Sequence, residues 1–302
     1  MIVVIGSINM DLVLRVPRMP LPGETLTGGA FRTIPGGKGA NQAVACARLS
    51  GKVAGAQQVA MIGCVGDDAF GATLRAALVG DGIIDSHVTT LPGVASGIAS
   101  ILVDDKGQNS IVIAGGANDL LSPAHIDAAR ALIEQADIVV LQLETPMATV
   151  VHAIQLARSL GKTVVLNPAP AASLPDGVLE LVDYLIPNEN EAAMLAGVSP
   201  EGADAKALAA ALQKLGSDNV IITLGSKGVH AALYGGDFTF PAEVVQAVDT
   251  TAAGDTFIGG FVAGLASGMD EAEAIQQGQR AAAWSVTKPG AQTSIPHLHE
   301  LF

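Results

Sequence analysis

The hydrophobic positions along the chain follow two different rhythms. In the first, short unbroken apolar runs alternate with amphipathic stretches. Ile2–Ile5 predicts a buried strand closed by Gly6, and Val59–Val65, Ile138–Leu143, Thr163–Asn167, Tyr184–Pro187 and Val220–Leu224 repeat the pattern. Between them, Lys38–Leu49, Ala69–Val79, Pro146–Leu160, Glu189–Ala196 and Ala203–Leu215 predict helices. Another helix runs from Ser122-Pro123, an N-cap followed by a first-turn proline, to Gln135. A β stretch over Gly228–Phe240 and two helices, Ala253–Ala266 and Glu271–Val286, finish the series. Apolar strands separated by helices predict a doubly wound, mostly parallel α/β sheet with helices on both faces.

The second rhythm is strict alternation. Leu12–Val16, Thr25–Ile34, Gly97–Val103 and Ser110–Ala114 read as half-exposed antiparallel strands, the last two forming a hairpin about Asp104–Gln108. A Pro-rich turn fills Pro17–Gly23. These strands interrupt the βα alternation, so residues 1–302 are read as one domain with a small β-sheet inserted. Lys52–Gln58 is expected to be a surface loop between a helix and a strand.

Composition narrows the function classes. With 49% hydrophobic and 15% charged residues, the chain has ample material for a core and is not of disordered composition. Sixteen Lys and Arg against 29 Asp and Glu give a formal charge of −13, and no basic cluster suggests a nucleic-acid partner. Cys46 and Cys64 are expected as reduced core thiols. No apolar run reaches the roughly 18 residues of a membrane span. With no signal-peptide pattern at the start, a cytosolic location away from membranes is expected.

Asp249–Phe257, DTTAAGDTF, follows a strand-like run, Val244–Val248, and opens a helix of small residues. Ala252, Ala253 and Gly254 would let an anion approach the unpaired amides at the positive end of the helix dipole. Asp255 would then lie beside the transferring group, although the same carboxylate could simply favour a first helical turn. Pro35–Ala45, PGGKGANQAVA, lacks the G-x-x-x-x-G-K-[ST] phosphate loop. Its glycines still permit close ligand approach, and Lys38, Asn41 and Gln42 offer polar heads; a plain glycine turn is the simpler alternative. Gly6–Asp11 is not a dinucleotide fingerprint, which argues against a dehydrogenase. Asn9 and Asp11 at the end of a core strand suit paired sugar hydroxyls. Asn188 and Glu191 have capping-box spacing, compatible with a place beside a metal–phosphate group. Thr223–Gly228 reads as a turn or a nucleotide-contacting loop. The six histidines show no metal spacing, and no G-x-S-x-G elbow occurs.

Taken together, GSINMD, GGKGANQAVA, LQLE, LNPAPA, PNENEA, ITLGSKG, DTTAAGDTF and KPGAQ resemble the ribokinase and phosphofructokinase-B family of carbohydrate kinases over nearly the whole chain. The resemblance points to its ribokinase branch, and it implies a ribokinase-like fold with a β-sheet lid that closes over the sugar and forms a homodimer. It implies transfer of the ATP γ-phosphoryl group to the 5-hydroxyl of D-ribose. Sugar contacts would come from Asn9, Met10, Asp11, Gly37, Lys38, Gly39, Asn41 and Glu144. Asp255 would be the base, with Ala252, Ala253 and Gly254 as the anion hole. Asn188 and Glu191 would lie near Mg²⁺ and phosphate. Thr223, Leu224, Gly225, Ser226, Lys227 and Gly228, together with Gly254 and Gln279, would face the nucleotide. A K⁺ activator would sit near Asp249 and Thr251, completed by Ser285, Lys288, Gly290 and Ser294. Many relatives have Gly where this chain has Ala252, and some have His or Asn in place of Gln279. Another sugar such as deoxyribose or fructose, a nucleoside acceptor, or an inactive sensor on the same fold remains an alternative.

Overall fold

The computed structural model describes residues 1–50, 58–199 and 201–302. The surface loop expected at Lys52–Gln58 lies, apart from Gln58, outside the described residues. In chain order the elements begin β1 (Ile2–Ile5), β2 (Asn9–Arg15), β3 (Phe31–Gly36), α1 (Lys38–Leu49), β4 (Val59–Gly66), α2 (Ala69–Gly80) and β5 (Ile84–Leu91). They continue β6 (Gly97–Val103), β7 (Asn109–Ala114), α3 (Pro123–Ala128), α4 (Arg130–Glu134), β8 (Ile138–Leu141), α5 (Met147–Ser159), β9 (Thr163–Leu166), β10 (Tyr184–Leu185) and α6 (Glu189–Leu195). The last are α7 (Ala205–Lys214), β11 (Asn219–Thr223), β12 (Val229–Leu233), β13 (Gly236–Phe240), α8 (Ala253–Ala266) and α9 (Glu271–Ser285).

The nine-stranded main sheet has the order β13-β12-β11-β10-β9-β8-β1-β4-β5. It is parallel from β5 through β11, and β12 and β13 extend it antiparallel. Its central strands carry side chains of both faces into apolar surroundings. Val4, Met61 and Val140 join a core with α1, α2, α8 and α9. Val3, Ile62 and Val139 join another with α3, α5, α6 and α7. The continuous apolar runs follow from this double covering. Cys46 and Cys64 are buried and unbonded to each other.

The alternating segments form a separate sheet of order β3-β2-β6-β7, antiparallel at β3-β2 and β6-β7 as expected but parallel at the central pair β2-β6. Its boundaries differ from the expected ones. The strand expected at 12–16 begins earlier, at Asn9, and the one expected at 25–34 is confined to Phe31–Gly36. β6 covers the expected 97–103, while β7 starts one residue earlier, at Asn109. The hairpin turn closes through the Asp104 amide donating to the Gln108 carbonyl at 2.9 Å.

The structure departs from the sequence pattern at three further places. β5 was not anticipated: Ile84–Leu91 is a half-buried edge strand whose polar residues hide the strand signal. The helix expected from Ser122 to Gln135 is broken at Ala129. Val244–Val248 forms no strand; Val244 and Val248 are exposed, and the segment runs as a loop into α8. No described helix is long and apolar enough to cross a membrane.

Candidate active site

The ends of β1, β8, β10 and β11 point to one edge of the main sheet, where open α/β sheets place their ligands. The residues following those strands meet there with the start of α1, the start of α8 and the first residues of β2.

Asp255 lies in the first turn of α8 and is 7% exposed. Asn41 Nδ2 donates to its Oδ2 at 3.0 Å, and Gln42 Nε2 donates to Oδ1 at 2.9 Å. Each oxygen therefore keeps a lone pair for a ligand while the carboxylate plane is fixed. Burial raises the Asp255 pKa, opposed by the Lys38 charge and the two amide hydrogen bonds. Gln42 continues inward: it donates to Asn167 Oδ1 at 3.2 Å and accepts from Gln142 Nε2 at 2.6 Å. This buried amide chain from β8 and β9 to the acid was invisible in the sequence, because Gln42 lies 100 or more residues from each of its partners.

Lys38 opens α1 after Gly37, whose φ is 87° and whose position admits no Cβ, since one would lie 2.7 Å from the Asn9 amide nitrogen. Burial works against the Lys38 charge, but Asp255, Glu144, Glu191 and Asp11 outweigh it and raise its pKa. Glu144, beyond β8, accepts from Ser7 Oγ at 2.6 Å and from the Lys38 amide at 3.1 Å. Gly39 packs against the Gly6–Ser7 backbone. Asp11 is pushed up to about 7 by burial and by the charges of Glu144 and Asp255, with Lys38 opposing.

Asn9 and Asp11 are thus not at the end of a core strand, as expected; they start β2, which leads into the smaller sheet. The Met10 side chain turns away into the hydrophobic core. Asn41 Oδ1 is buried without a hydrogen-bond partner, an acceptor held ready at the site.

Ala252 caps α8 in the left-handed region, φ 58°, the one described non-glycine residue with positive φ. The Ala253 amide donates weakly to the Thr250 carbonyl at 3.3 Å. The Ala252 and Gly254 amides make no such bond among the described residues, and the space beside Gly254 is open. An anion approaching α8 would therefore meet these two first.

Beside this helix start lies a cleft of about 390 Å³ lined by Thr223, Gly225, Ser226, Gly228, Gly254 and Gln279, among others. Leu224 packs on the core, and Lys227 pairs with Glu189 at 2.9 Å, so neither side chain is part of the lining. Gln279 is tied back by Nε2 donating to the Phe240 and Pro241 carbonyls at 3.1 and 3.3 Å. It holds the wall of the cleft through that amide.

Asn188 and Glu191 form a reciprocal capping box at 2.8 and 2.9 Å. Burial raises the Glu191 pKa, opposed by the Asn188 hydrogen bond and Lys38. Asp249 joins two loops: Oδ1 accepts from Thr251 N and Oγ1 at 2.9 and 2.6 Å, and Oδ2 accepts from Gly290 N at 2.8 Å. Burial works against the Asp249 charge, but these bonds outweigh it and lower the pKa. The Ser285 and Ser294 hydroxyls donate to the Ala282 and Ala291 carbonyls, each at 2.8 Å. Lys288 Nζ lies 4.6 Å above the Trp284 ring and 3.4 Å from Glu300. Its ammonium is thereby engaged. No cluster of three His, Cys, Asp or Glu that could hold a metal ion occurs among the described residues.

Residues 1–298 match the pfkB family of carbohydrate kinases. A ribokinase of Haemophilus influenzae is 47% identical over 98% of this chain and 95% of its own length. A deoxyribokinase of Salmonella typhi is 40% identical over 99% of this chain and 96% of its own. The structure of Arabidopsis thaliana ribokinase complexed with ribose and ATP superimposes with a TM-score of 0.88 at 31% identity, covering 99% of this chain and 96% of that one.

Proposed function

The chain belongs to the pfkB family of carbohydrate kinases, and from that premise we infer that it phosphorylates D-ribose with ATP at the 5-hydroxyl. One observation carries the reading. Asp255 is buried at the start of α8, between a cleft sized for a nucleotide and a cluster of polar groups suited to a sugar. On this reading Asn9, Asp11, Lys38, Asn41 and Glu144 hold the sugar. Asp255 orients the acceptor hydroxyl and takes its proton as the oxygen attacks the γ-phosphorus. The Ala252 and Gly254 amides stabilise the charge that develops on the transferring group. Because such transition states are loose, alignment contributes more than basicity.

Two ions fit the chemistry present. Mg²⁺ favours hard oxygen donors shared with phosphates, and it would be held near Glu191, whose Oε2 alone is committed to the capping box. When bound it would neutralise phosphate charge. K⁺ would sit by Asp249, whose carboxylate joins the Thr251 and Gly290 loops, with loop carbonyls beside Thr251, Ser285, Lys288, Gly290 and Ser294. Homodimerisation through the smaller sheet is supported by its free edge strand β7, where Ile111, Val112 and Ile113 are exposed.

The test is ADP release. Asp255→Asn should lower kcat with D-ribose about 10³-fold while ATP still binds; turnover within tenfold of the parent would remove Asp255 as the base. A second reading, 2-deoxyribose as the preferred acceptor, is favoured by the 40% identity to a deoxyribokinase. A kcat/KM higher for 2-deoxyribose than for ribose would establish it instead.

A further inference from the structure

Asn118 stands outside every motif that points to sugar chemistry. It lies in the short helical turn Gly116–Leu120 after β7 and is 1% exposed. That turn is pinned by the Ala117 amide donating to the Ala95 carbonyl at 2.9 Å and by the Asn118 amide donating to the Gly115 carbonyl at 3.0 Å. The Asn118 side chain ties the segment leaving β7 to the Ile8–Asn9 passage from β1 into β2. Its Oδ1 accepts from the Ile8 amide at 2.9 Å. Its Nδ2 donates to the Ile8 carbonyl at 3.1 Å and to Asn9 Oδ1 at 2.7 Å.

The polarity of these bonds has a fixed direction. A backbone N–H can only donate, so the Ile8 amide requires the Asn118 oxygen to face it. The Asn118 nitrogen must then face Asn9, and that nitrogen can only donate. Asn9 is therefore compelled to turn its own oxygen inward. Its Nδ2, which makes no hydrogen bond among the described residues, is the group left for a ligand. Gly97, at the start of β6, completes the arrangement: a Cβ there would overlap both Asn118 Nδ2 and Asn9 Oδ1.

We propose that Asn118 is a positioning residue that makes Asn9 present an N–H donor, so that Asn9 meets a sugar oxygen acting as acceptor. The proposal rests on the reading that Asn9 contacts the sugar. Asn118→Asp keeps the acceptor for the Ile8 amide and removes the donor to both the Ile8 carbonyl and Asn9. Asn9 then gains by rotating its amide, and it offers the ligand an oxygen instead.

The experiment is a double-mutant cycle of Asn118→Asp and Asn9→Ala, read by sugar dissociation constants from calorimetry and by steady-state kinetics. Asn118→Asp is expected to raise the D-ribose dissociation constant and KM about tenfold or more, with the KM for ATP unchanged and kcat within about threefold. In the Asn9→Ala background the same change should add nothing. Equal losses in both backgrounds, or parallel losses in ATP affinity and kcat, would overturn the proposal. If Asn118→Asp does not fold, Gly97→Ala, which crowds both side chains, carries the cycle: an equal rise in sugar KM with and without Asn9→Ala overturns the proposal. Should the parent bind 2-deoxyribose and not ribose, the ribose assignment fails while the cycle is read with 2-deoxyribose.

Discussion

The two halves of the site are built from different materials. On the side proposed to take the sugar, side chains dominate: Asp11, Lys38, Asn41, Glu144 and Asp255 crowd together, buried or half-buried. Four carboxylates surround Lys38, so the group carries a negative excess that burial makes costly. On the side proposed for the nucleotide, the cleft is walled mainly by small and apolar residues, with Thr223, Ser226, Glu243, Thr250 and Gln279 among them. The first side offers charge and hydrogen-bond polarity, whereas the second offers mainly a wall of small and apolar residues. Substitutions should therefore act on the two sides with different size and different pH dependence.

The largest contrast is expected at Asp11. Its folded pKa is raised from 3.8 to about 7, so between those values the folded protein holds a proton that the unfolded chain has released. The slope of stability with pH is then negative: Asp11 costs stability progressively as pH rises from about 4 to 7. A shift of this size corresponds to roughly 4 kcal/mol at most. Asp11→Asn should raise the melting temperature at pH 8 and leave it nearly unchanged at pH 4, while weakening sugar binding. Thermal melts across that range check it. A variant that gains nothing at pH 8 would mean that Lys38 already compensates the charge. No substitution in the cleft wall should show such a pH dependence.

A smaller effect is expected at Gln42, the link from Asp255 to Gln142 and Asn167. Gln42→Ala frees one oxygen of the acid and leaves buried amides unpaired, at a cost of about 1–3 kcal/mol. The melting temperature should fall and kcat should drop about tenfold, with ATP affinity kept. Steady-state kinetics beside a melting curve separates the two. Unchanged kcat would show that Asn41 alone orients Asp255.

Gln42 also marks the limit of what the chain discloses before it folds. The buried central strands of the main sheet were legible because each is a local apolar run, and the Asn188–Glu191 cap because its partners are three residues apart. The polar heads at Lys38, Asn41 and Gln42 could be picked out, but not that Gln42 is bonded on both sides. Its partners Gln142 and Asn167 lie in apolar runs where a single amide looks incidental. Asn118 was hidden in the same way, 109 residues from Asn9. β5 escaped because an edge strand with one wet face mixes polar and apolar positions, and Val244–Val248 misled because β-branched composition does not guarantee a pairing partner.

The smallest effect belongs to the boundary between the two sides, at Ala252. An L-residue with φ 58° carries a steric cost of roughly 1–2 kcal/mol, which Gly would not bear. Gly in turn gives the unfolded chain more freedom, offsetting about 0.4–1 kcal/mol of that gain. Ala252→Gly should therefore stabilise the protein by about 1 kcal/mol or less, a rise of some 2–4 °C in melting temperature at most. Catalysis should not follow stability. The methyl group narrows the conformations open to the Thr250–Gly254 turn, so its removal loosens the amides proposed to meet the phosphate and should lower kcat slightly, within about threefold. Melting curves and turnover on the same preparation decide the matter. If kcat rose together with stability, the left-handed alanine would be an uncompensated strain; if stability rose and kcat fell, its strain is what keeps the amides aligned.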